Sequence, residues 1–222
     1  MHGRNKRIPL WPLWVGKAEV EKNLEKIADL VRTHGPEVVC LQEVDQGSVL
    51  SGSFDQFEFL KQKTGYPYGY FAPSCRVMLF DTNIFVSGQA ILSKYPLSNC
   101  AAYKFPITFP TDRMGFVVAD VQLPGWVLTV ASVHLTYLDW QRRDVRGHQM
   151  ELVERVVVER RGKAVIAGDF NCDLGKGKPT YPSWGPDESI DWVLGRGVAV
   201  ESCKVLPDQV SDHLAVFAAL SL

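Results

Sequence analysis

Amphipathic stretches alternate with short apolar runs along this chain, and the two patterns predict different elements. Apolar residues at helical spacing predict helices over residues 17–33, 54–64 and 142–161. The pattern over residues 68–131 predicts short strands joined by turns. Helices and strands in this order predict an α/β fold whose helices pack outside the sheets.

One apolar run ends in a motif with a distinct chemistry. Residues 164–167 have the composition of a buried strand, and Gly168, Asp169, Phe170 and Asn171 follow directly. Because residues i and i+2 of an extended backbone share a face, Asp169 and Asn171 should point the same way. A carboxylate beside an amide suits the binding of Mg²⁺ and of a phosphate oxygen. The alternative is that both residues are ordinary turn formers.

Four further strand-like segments carry a metal-binding or acid–base side chain at an end or inside an apolar run. They are Glu43 after 38–42, His134 after 127–133, Asp191 within 189–194, and Asp212 with His213 directly before 214–220. A single acid or histidine in such a place is more often solvated or structural. Their occurrence in five segments of one chain favours a common site over coincidence.

Six motifs follow one another along the chain, and together they resemble a known family. They are Leu41-Gln42-Glu43, Gly88-Gln89-Ala90-Ile91-Leu92-Ser93, Ser132-Val133-His134-Leu135, Gly168-Asp169-Phe170-Asn171, Ile190-Asp191-Trp192 and Ser211-Asp212-His213. Their order and spacing resemble those of the endonuclease/exonuclease/phosphatase superfamily, which has the DNase I-like fold. The resemblance covers nearly all of residues 1–222.

The resemblance implies a four-layer α/β sandwich, in which two packed, mainly antiparallel sheets are flanked by helices. It also implies a single domain over residues 1–222. Chains of this family normally open with a strand that ends in Asn, and Met1-His2-Gly3-Arg4 looks like the end of that motif. We therefore expect the family's first strand to be missing, together with one side chain of the metal site. A divergent N-terminus is the alternative.

A carboxylate metal site is the second implication of the resemblance. Its ligands would be Glu43, Asp169 and Asp212. Mg²⁺ is the expected cofactor and Mn²⁺ the alternative, because the ligands are hard oxygens that leave room for water and substrate. Without the resemblance, a solvated charge at a strand end would be the preferred interpretation of Glu43.

The resemblance also implies the catalytic side chains. Asp169 and Asn171 would orient the attacking water or contact the scissile phosphate. His134 would hydrogen-bond a non-bridging phosphate oxygen. His213 would bind the phosphate or activate water, and Asp191 would fix the tautomer and orientation of its imidazole.

Several residues depart from the family pattern or have an open role. Gln89 stands where the family usually has Asn, and its longer side chain leaves its role open. Arg113 lies at a commonly basic position and would reach a phosphate or simply face solvent. Arg142, Arg143 and Arg146 would form a phosphate-contacting rim or the solvated start of a helix.

Composition sets the remaining bounds. The 222 residues are 46% hydrophobic, with a net charge of −1, and no apolar stretch approaches the ~18 residues of a membrane span. The charge does not indicate nucleic acid as a partner, although a local basic patch stays open. The five scattered cysteines lack C-x-x-C pairing, so we expect reduced, mostly buried thiols and a cytoplasmic protein. We also expect a monomer.

The expected function is Mg²⁺-dependent hydrolysis of a phosphoester. Negative charge develops on phosphate oxygens during this reaction, and a cation with imidazole or amide donors stabilises it. Phosphodiesters are preferred, whether nucleic acid or a small or lipid diester. Aromatic residues near the site would favour a lipid or small diester, or would only pack: Trp11, Trp14, Tyr137, Trp140, Tyr181 and Trp184. The alternatives are a phosphomonoesterase of the inositol or nucleotide type and an inactive binding protein with the same fold.

Overall fold

The computed structural model describes residues 17–107, 114–137 and 144–221, without the side chain of residue 50. Several expectations from the sequence lie outside these residues. They concern Met1-His2-Gly3-Arg4, Trp11, Trp14, Arg113, Trp140, Arg142 and Arg143. In the described part of the chain, no helix is long and apolar enough to cross a membrane.

The described chain contains three helices, ten strands and a 3₁₀ turn at Val49–Ser51. The helices are α1 (Lys17–His34), α2 (Gln56–Thr64) and α3 (Val145–Glu159). The strands are β1 (Val38–Val44), β2 (Tyr68–Leu79), β3 (Thr82–Ser93), β4 (Leu97–Lys104), β5 (Gly115–Leu123), β6 (Trp126–His134), β7 (Lys163–Asp169), β8 (Asp191–Arg196), β9 (Ala199–Val205) and β10 (Val216–Ser221).

All three predicted helices are present, and side-chain caps fix the start of two of them. α2 follows Asp55, whose carboxylate accepts a hydrogen bond from the Glu58 amide at 3.0 Å. α3 follows Asp144, whose carboxylate accepts one from the Gly147 amide at 2.9 Å. Such caps satisfy amides that have no partner within the helix.

The elements stack in four layers. α1 and α2 pack on the three-stranded sheet β1-β3-β2 through a cluster that includes Leu24, Phe57 and Leu92. This sheet faces the five-stranded sheet β4-β5-β6-β7-β8, and α3 covers the outer face of the latter. β9 and β10 form a two-stranded ladder, and every described strand pairing is antiparallel except that of β6 with β7. The predicted four-layer sandwich is confirmed.

Alternate residues of the central strand β5 face two different cores. Phe116 and Val118 pack towards α3, whereas Val117, Ala119 and Val121 face the three-stranded sheet. A strand buried on both faces has a nearly continuous apolar sequence, because neither face needs polar residues. The apolar runs of β6 and β7 have the same origin.

β2 and β3 form a long hairpin where the sequence predicted short strands. Each strand has 12 residues. The pairing shifts register after Pro73 and again after Val77, so that the side-chain alternation is interrupted within each strand. The interrupted alternation explains why the sequence pattern resembled several short strands.

The cysteines are free thiols, but the expectation that they are mostly buried is wrong. Cys100 and Cys203 are exposed, and Cys40, Cys75 and Cys172 are half-buried. Cysteine scatter along the chain says nothing about which face of a strand each residue occupies. The thiol positions therefore had to come from the structure.

Phe116 provides a test of the core between the five-stranded sheet and α3. Its side chain is 1% exposed and stacks on Tyr103, with the ring centroids 4.8 Å apart. Phe116→Ala should lower the free energy of unfolding by about 3–5 kcal/mol, measured by chemical denaturation. Val127→Ala, at a position in β6 that is 44% exposed, should change it by less than about 0.5 kcal/mol. Equal effects would contradict this assignment of the core.

Candidate active site

Three neighbouring strands bring His134, Asp169 and Asp191 into one row. β6 and β7 run parallel, so their last residues, His134 and Asp169, lie side by side. β8 runs antiparallel to β7, and its first residue, Asp191, pairs with Asp169. One imidazole and two carboxylates from three separate apolar runs are therefore neighbours at one edge of the sheet.

The Asp169 carboxylate is buried at the centre of this row. Its Oδ2 lies 3.4 Å from His134 Nε2 and 3.8 Å from His213 Nε2. Its Oδ1 accepts a hydrogen bond from the Asn171 amide at 2.8 Å. Burial raises the pKa of Asp169 to about 6, against the opposing effect of His134. The ionised carboxylate therefore depends on positive charge near it.

His213 reaches this row from the segment before β10 and pairs with Asp191. Its Nδ1 lies 2.8 Å from Asp191 Oδ2, and the Thr180 hydroxyl donates a hydrogen bond to the same oxygen at 2.6 Å. Burial alone would lower the pKa of His213, but the hydrogen bond to Asp191 and the charges of Asp191, Asp169 and Asp212 raise it to about 9. With Nδ1 turned to Asp191, Nε2 faces Asp169.

Residues 180–183 hold the segment that carries His213. The Ser183 amide donates a hydrogen bond to the Asp212 carbonyl at 2.7 Å. The Tyr181 ring packs against the imidazole of His213, with the centroids 4.7 Å apart. The second histidine is therefore positioned by contacts between two loops and not by strand pairing.

Asn171 lies just beyond the end of β7. It has a left-handed backbone (φ 49°), which Asn tolerates better than most residues. Its side-chain amide donates to the Leu135 carbonyl at 2.9 Å, and its own carbonyl accepts from Arg146 Nη1 at 2.8 Å. Because β7 ends at Asp169, the strand alternation that predicted a common face for Asp169 and Asn171 does not extend to Asn171. That geometric argument was wrong.

Glu43 lies in a β-bulge close to the end of β1. The register of β1 and β3 shifts between Leu41 and Val44, and Glu43 has a φ of 56° and an exposed side chain. The neighbouring Gln42 extends to the other sheet, where its Nε2 donates a hydrogen bond to Ser132 Oγ at 2.9 Å. The bulge thus turns the Glu43 side chain outwards, whereas the Gln42 side chain links β1 to β6 through its hydrogen bond.

Gly168 lets the two sheets meet at this point. Its φ is 143°, and a Cβ there would lie 2.0 Å from the Val133 carbonyl oxygen and 3.0 Å from Gln42 Nε2. Any side chain would push β6 and β7 apart directly before Asp169. Glycine at this position is therefore a requirement of the close backbone approach.

The three predicted metal ligands, Glu43, Asp169 and Asp212, all influence the pKa of Tyr181. Burial raises the pKa of Tyr181, and the charges of Asp212, Glu188, Asp169 and Glu43 raise it further. These carboxylates come from four different parts of the chain. Such a concentration of negative charge is an environment that fits a divalent cation.

A more compact group of potential ligands consists of Asp169, Asp191 and His213. In the described part of the chain, their ligand atoms lie within 4.8 Å of one another. Glu43 and Asp212 are not in this group. The hydrogen bond between Asp191 and His213 already occupies an oxygen and a ring nitrogen, which suits an acid–imidazole pair better than a ligand set.

Both sequence and fold match a known family. The sequence profile of the Endonuclease/Exonuclease/phosphatase family matches residues 15–213. The chain belongs to this family. Its members are phosphoester hydrolases, so the predicted family and enzyme class are confirmed. Among curated proteins, no sequence matches the chain at a significant level.

Solved structures share the fold at low sequence identity. An endonuclease/exonuclease/phosphatase from Beutenbergia cavernae has a TM-score of 0.71 at 21% identity, over 90% of this chain and 66% of that chain. Sphingomyelinase C from Streptomyces griseocarneus has a TM-score of 0.66 at 17% identity, over 90% of this chain and 92% of that chain. The human nocturnin catalytic domain with bound sulfate has a TM-score of 0.66 at 19% identity, over 95% of this chain and 91% of that chain. The chain spans slightly less than two thirds of the first of these.

Gln89 and Arg146, whose roles the sequence left open, have defined contacts in the structure. Gln89 is buried, and its side-chain oxygen accepts a hydrogen bond from the Ser74 hydroxyl inside the β2–β3 hairpin. Arg146 donates to the Asn171 carbonyl and so supports the turn after β7. Neither contact requires a bound phosphate.

Sequence reasoning missed Thr180 and gave no role to Gln42. Thr180 is fully buried within an irregular loop, where no periodic pattern points to its hydroxyl. Gln42 did carry a signal, because an amide inside an apolar strand needs a buried partner. The partner, Ser132, belongs to a strand 90 residues further along the chain.

The hydrogen bond between Gln42 and Ser132 can be measured by a double-mutant cycle. The single variants Gln42→Leu and Ser132→Ala should each lower the free energy of unfolding, because each leaves the other side chain without this contact. We expect a coupling energy of about 0.5–1.5 kcal/mol from chemical denaturation of the four proteins. Additive effects would contradict a direct link between the sheets at this position.

Proposed function

We propose that this chain is a divalent-metal-dependent phosphodiesterase in which His134, Asp169, Asn171, Asp191 and His213 act on the substrate. Mg²⁺ is the expected cofactor and Mn²⁺ the alternative. The observation that carries the proposal is the 2.8 Å contact of Asp191 with His213 beside the buried carboxylate of Asp169. Buried, interacting acids and imidazoles are costly for folding and are concentrated at catalytic sites.

Glu43, Asp169 and Asp212 would hold the metal. Their carboxylates are hard oxygen ligands, and the pKa of Tyr181 responds to all three. The number of carboxylates near Tyr181 supports the fit of a divalent cation. When bound, the ion supplies positive charge to the phosphate oxygens.

The side chains of the protein divide the remaining chemistry. Asp191 holds Nδ1 of His213, so Nε2 is directed to donate a hydrogen bond to a phosphate oxygen. His134 donates to a non-bridging oxygen from the other side of Asp169. Asp169 orients the attacking water, and Asn171 contacts the phosphate. Donors fixed before the reaction stabilise the charge that develops on the phosphate.

Phosphodiesters fit the charge of this site better than phosphomonoesters do. A diester carries one negative charge, whereas a monoester carries about 1.5 to 2 at neutral pH. Repulsion from the carboxylates around Tyr181 is therefore stronger for a monoester. Nucleic acid and small or lipid diesters are the candidate substrates, and the net charge of −1 does not favour nucleic acid.

Hydrolysis of an aryl phosphodiester tests the proposed chemistry. We expect activity that requires Mg²⁺ or Mn²⁺, is lost with EDTA, and falls at least about a hundredfold in Asp169→Asn. The matched control is Glu154→Gln, which removes an exposed carboxylate on α3 and should leave kcat and KM unchanged.

An aryl phosphomonoester, assayed in parallel, separates the two ester classes. Faster hydrolysis of the monoester would overturn the diester preference but keep the metal-dependent chemistry. No hydrolysis of either ester by the folded chain, with metal present, would contradict the proposed activity and favour a binding role.

Metal binding has its own readout in the melting temperature. A cation that binds only the folded chain raises Tm as its concentration increases. We expect this rise with Mg²⁺ for the unaltered chain and for Asp191→Asn, and its loss in Glu43→Gln and Asp212→Asn. Loss in Asp191→Asn with retention in Glu43→Gln would instead assign the ion to the compact group of Asp169, Asp191 and His213.

A further inference from the structure

The tip of the β2–β3 hairpin presents four consecutive apolar side chains to solvent. The exposed fractions are 49% for Val77, 51% for Met78, 58% for Leu79 and 91% for Phe80. A strand with one solvated face would expose every second residue. Exposed apolar residues on soluble proteins are common singly, whereas a contiguous group marks a contact surface.

Phe80 occupies a backbone position that suits a different residue. It is the first of two residues that connect the paired Leu79 and Thr82, and its φ is 51°. Two-residue hairpin turns with positive φ favour Gly, Asn or Asp, and a bulky residue there is an outlier. Because Phe80 contributes neither burial nor a favourable turn, folding does not account for it.

The tip projects from the catalytic end of the molecule. β1 ends at Val44, one residue after Glu43, and Val44 pairs with Gly88 of β3. Residues 82–87 of β3 and their partners in β2 continue past this point. At the usual rise per residue, the hairpin extends about 20 Å beyond the end of β1.

Exposed aromatic and basic side chains lie at the same end. Tyr137 follows β6 and is 60% exposed, and Trp184 adjoins the loop that holds His213 and is 64% exposed. Arg76 directly precedes the apolar tip, and Lys104 ends β4; both are exposed. Asp81 at the turn is the opposing charge. Apolar side chains next to basic ones favour contact with the headgroup region of an anionic membrane.

We propose that the hairpin tip, residues 77–80, inserts into an anionic lipid surface, while Arg76 contacts the headgroups. Insertion by about 5–10 Å, as is usual for interfacial anchors, would hold the end of β1 about 10–15 Å from the bilayer surface. This inference concerns where the chain binds, and its test does not depend on hydrolysis.

The shape and chemistry of the tip favour lipid over other partners. A projecting tip of four side chains is far below the ~800 Å² that each partner buries in a standard protein interface. A fluid lipid phase surrounds such a tip without a preformed socket. Three of the four side chains are aliphatic, whereas single-stranded nucleic acid stacks on aromatic rings within a basic groove.

Co-sedimentation of the full chain with phosphatidylcholine vesicles, with and without phosphatidylserine, tests this surface. We expect binding to the anionic vesicles that is about tenfold weaker when Phe80→Asn is combined with Met78→Ser. Asn suits the positive φ of residue 80, so Phe80→Asn alone should maintain or raise Tm while it weakens binding. Loss of the anchor is thereby separated from misfolding.

Two controls define the surface. Val158→Ser changes a residue near the end of α3 that is 48% exposed, close to the exposure of Met78, and should leave vesicle binding unchanged. Arg76→Glu should weaken binding to the anionic vesicles about tenfold and leave binding to neutral vesicles unchanged.

Three outcomes would overturn the proposal. The first is that the folded chain does not bind anionic vesicles, or binds them equally well in the hairpin variants. The second is a dimer, detected by light scattering, that Phe80→Asn converts to a monomer, since the tip would then join two copies of the chain. The third is binding of a single-stranded oligonucleotide, without vesicle binding, that the hairpin variants weaken.

Discussion

The parallel pairing of β6 with β7 is the constraint on which the candidate active site depends. It makes two strands end at the same edge of the sheet and places the Asp169 carboxylate beside the His134 imidazole. Antiparallel β8 begins at that edge and adds Asp191. A shift of one residue in the register of either strand would turn its side chains to the opposite face of the sheet. Because Val130 and Val165 pack in the core between the sheets, the same register determines both core and site.

The second half of the site has a different physical basis. His213 belongs to a loop, and hydrogen bonds fix its position instead of strand pairing. Thr180 is central to this arrangement, because its hydroxyl and the His213 imidazole share one oxygen of Asp191. Sheet pairing thus sets the positions of the strand-end residues, while the position of the His213 imidazole depends on contacts between loops.

The sequence allowed the family, the layers and the approximate positions of the helices to be predicted, because periodic apolar residues and ordered motifs are local signals. Contacts between distant segments were not predictable in this way. The link from Gln42 to Ser132 and the hydroxyl of Thr180 depend on how separate segments meet in space. The same holds for Asn171, whose backbone departs from the strand just where the alternation argument assumed that it continued.

Local rules of folding are broken repeatedly at the catalytic end of the molecule. Six described residues other than glycine have positive φ values, and three of them, Glu43, Asn171 and Phe80, lie at this end. Burial also opposes the ionised form of Asp169. Each of these features costs folding free energy, and residues held in this way cluster where function requires them. The well-packed cores at the centre of the sandwich offset these costs. Phe80 differs from the others because the fold gains neither burial nor a favourable turn from its position, and this difference is the basis for the lipid contact proposed for it.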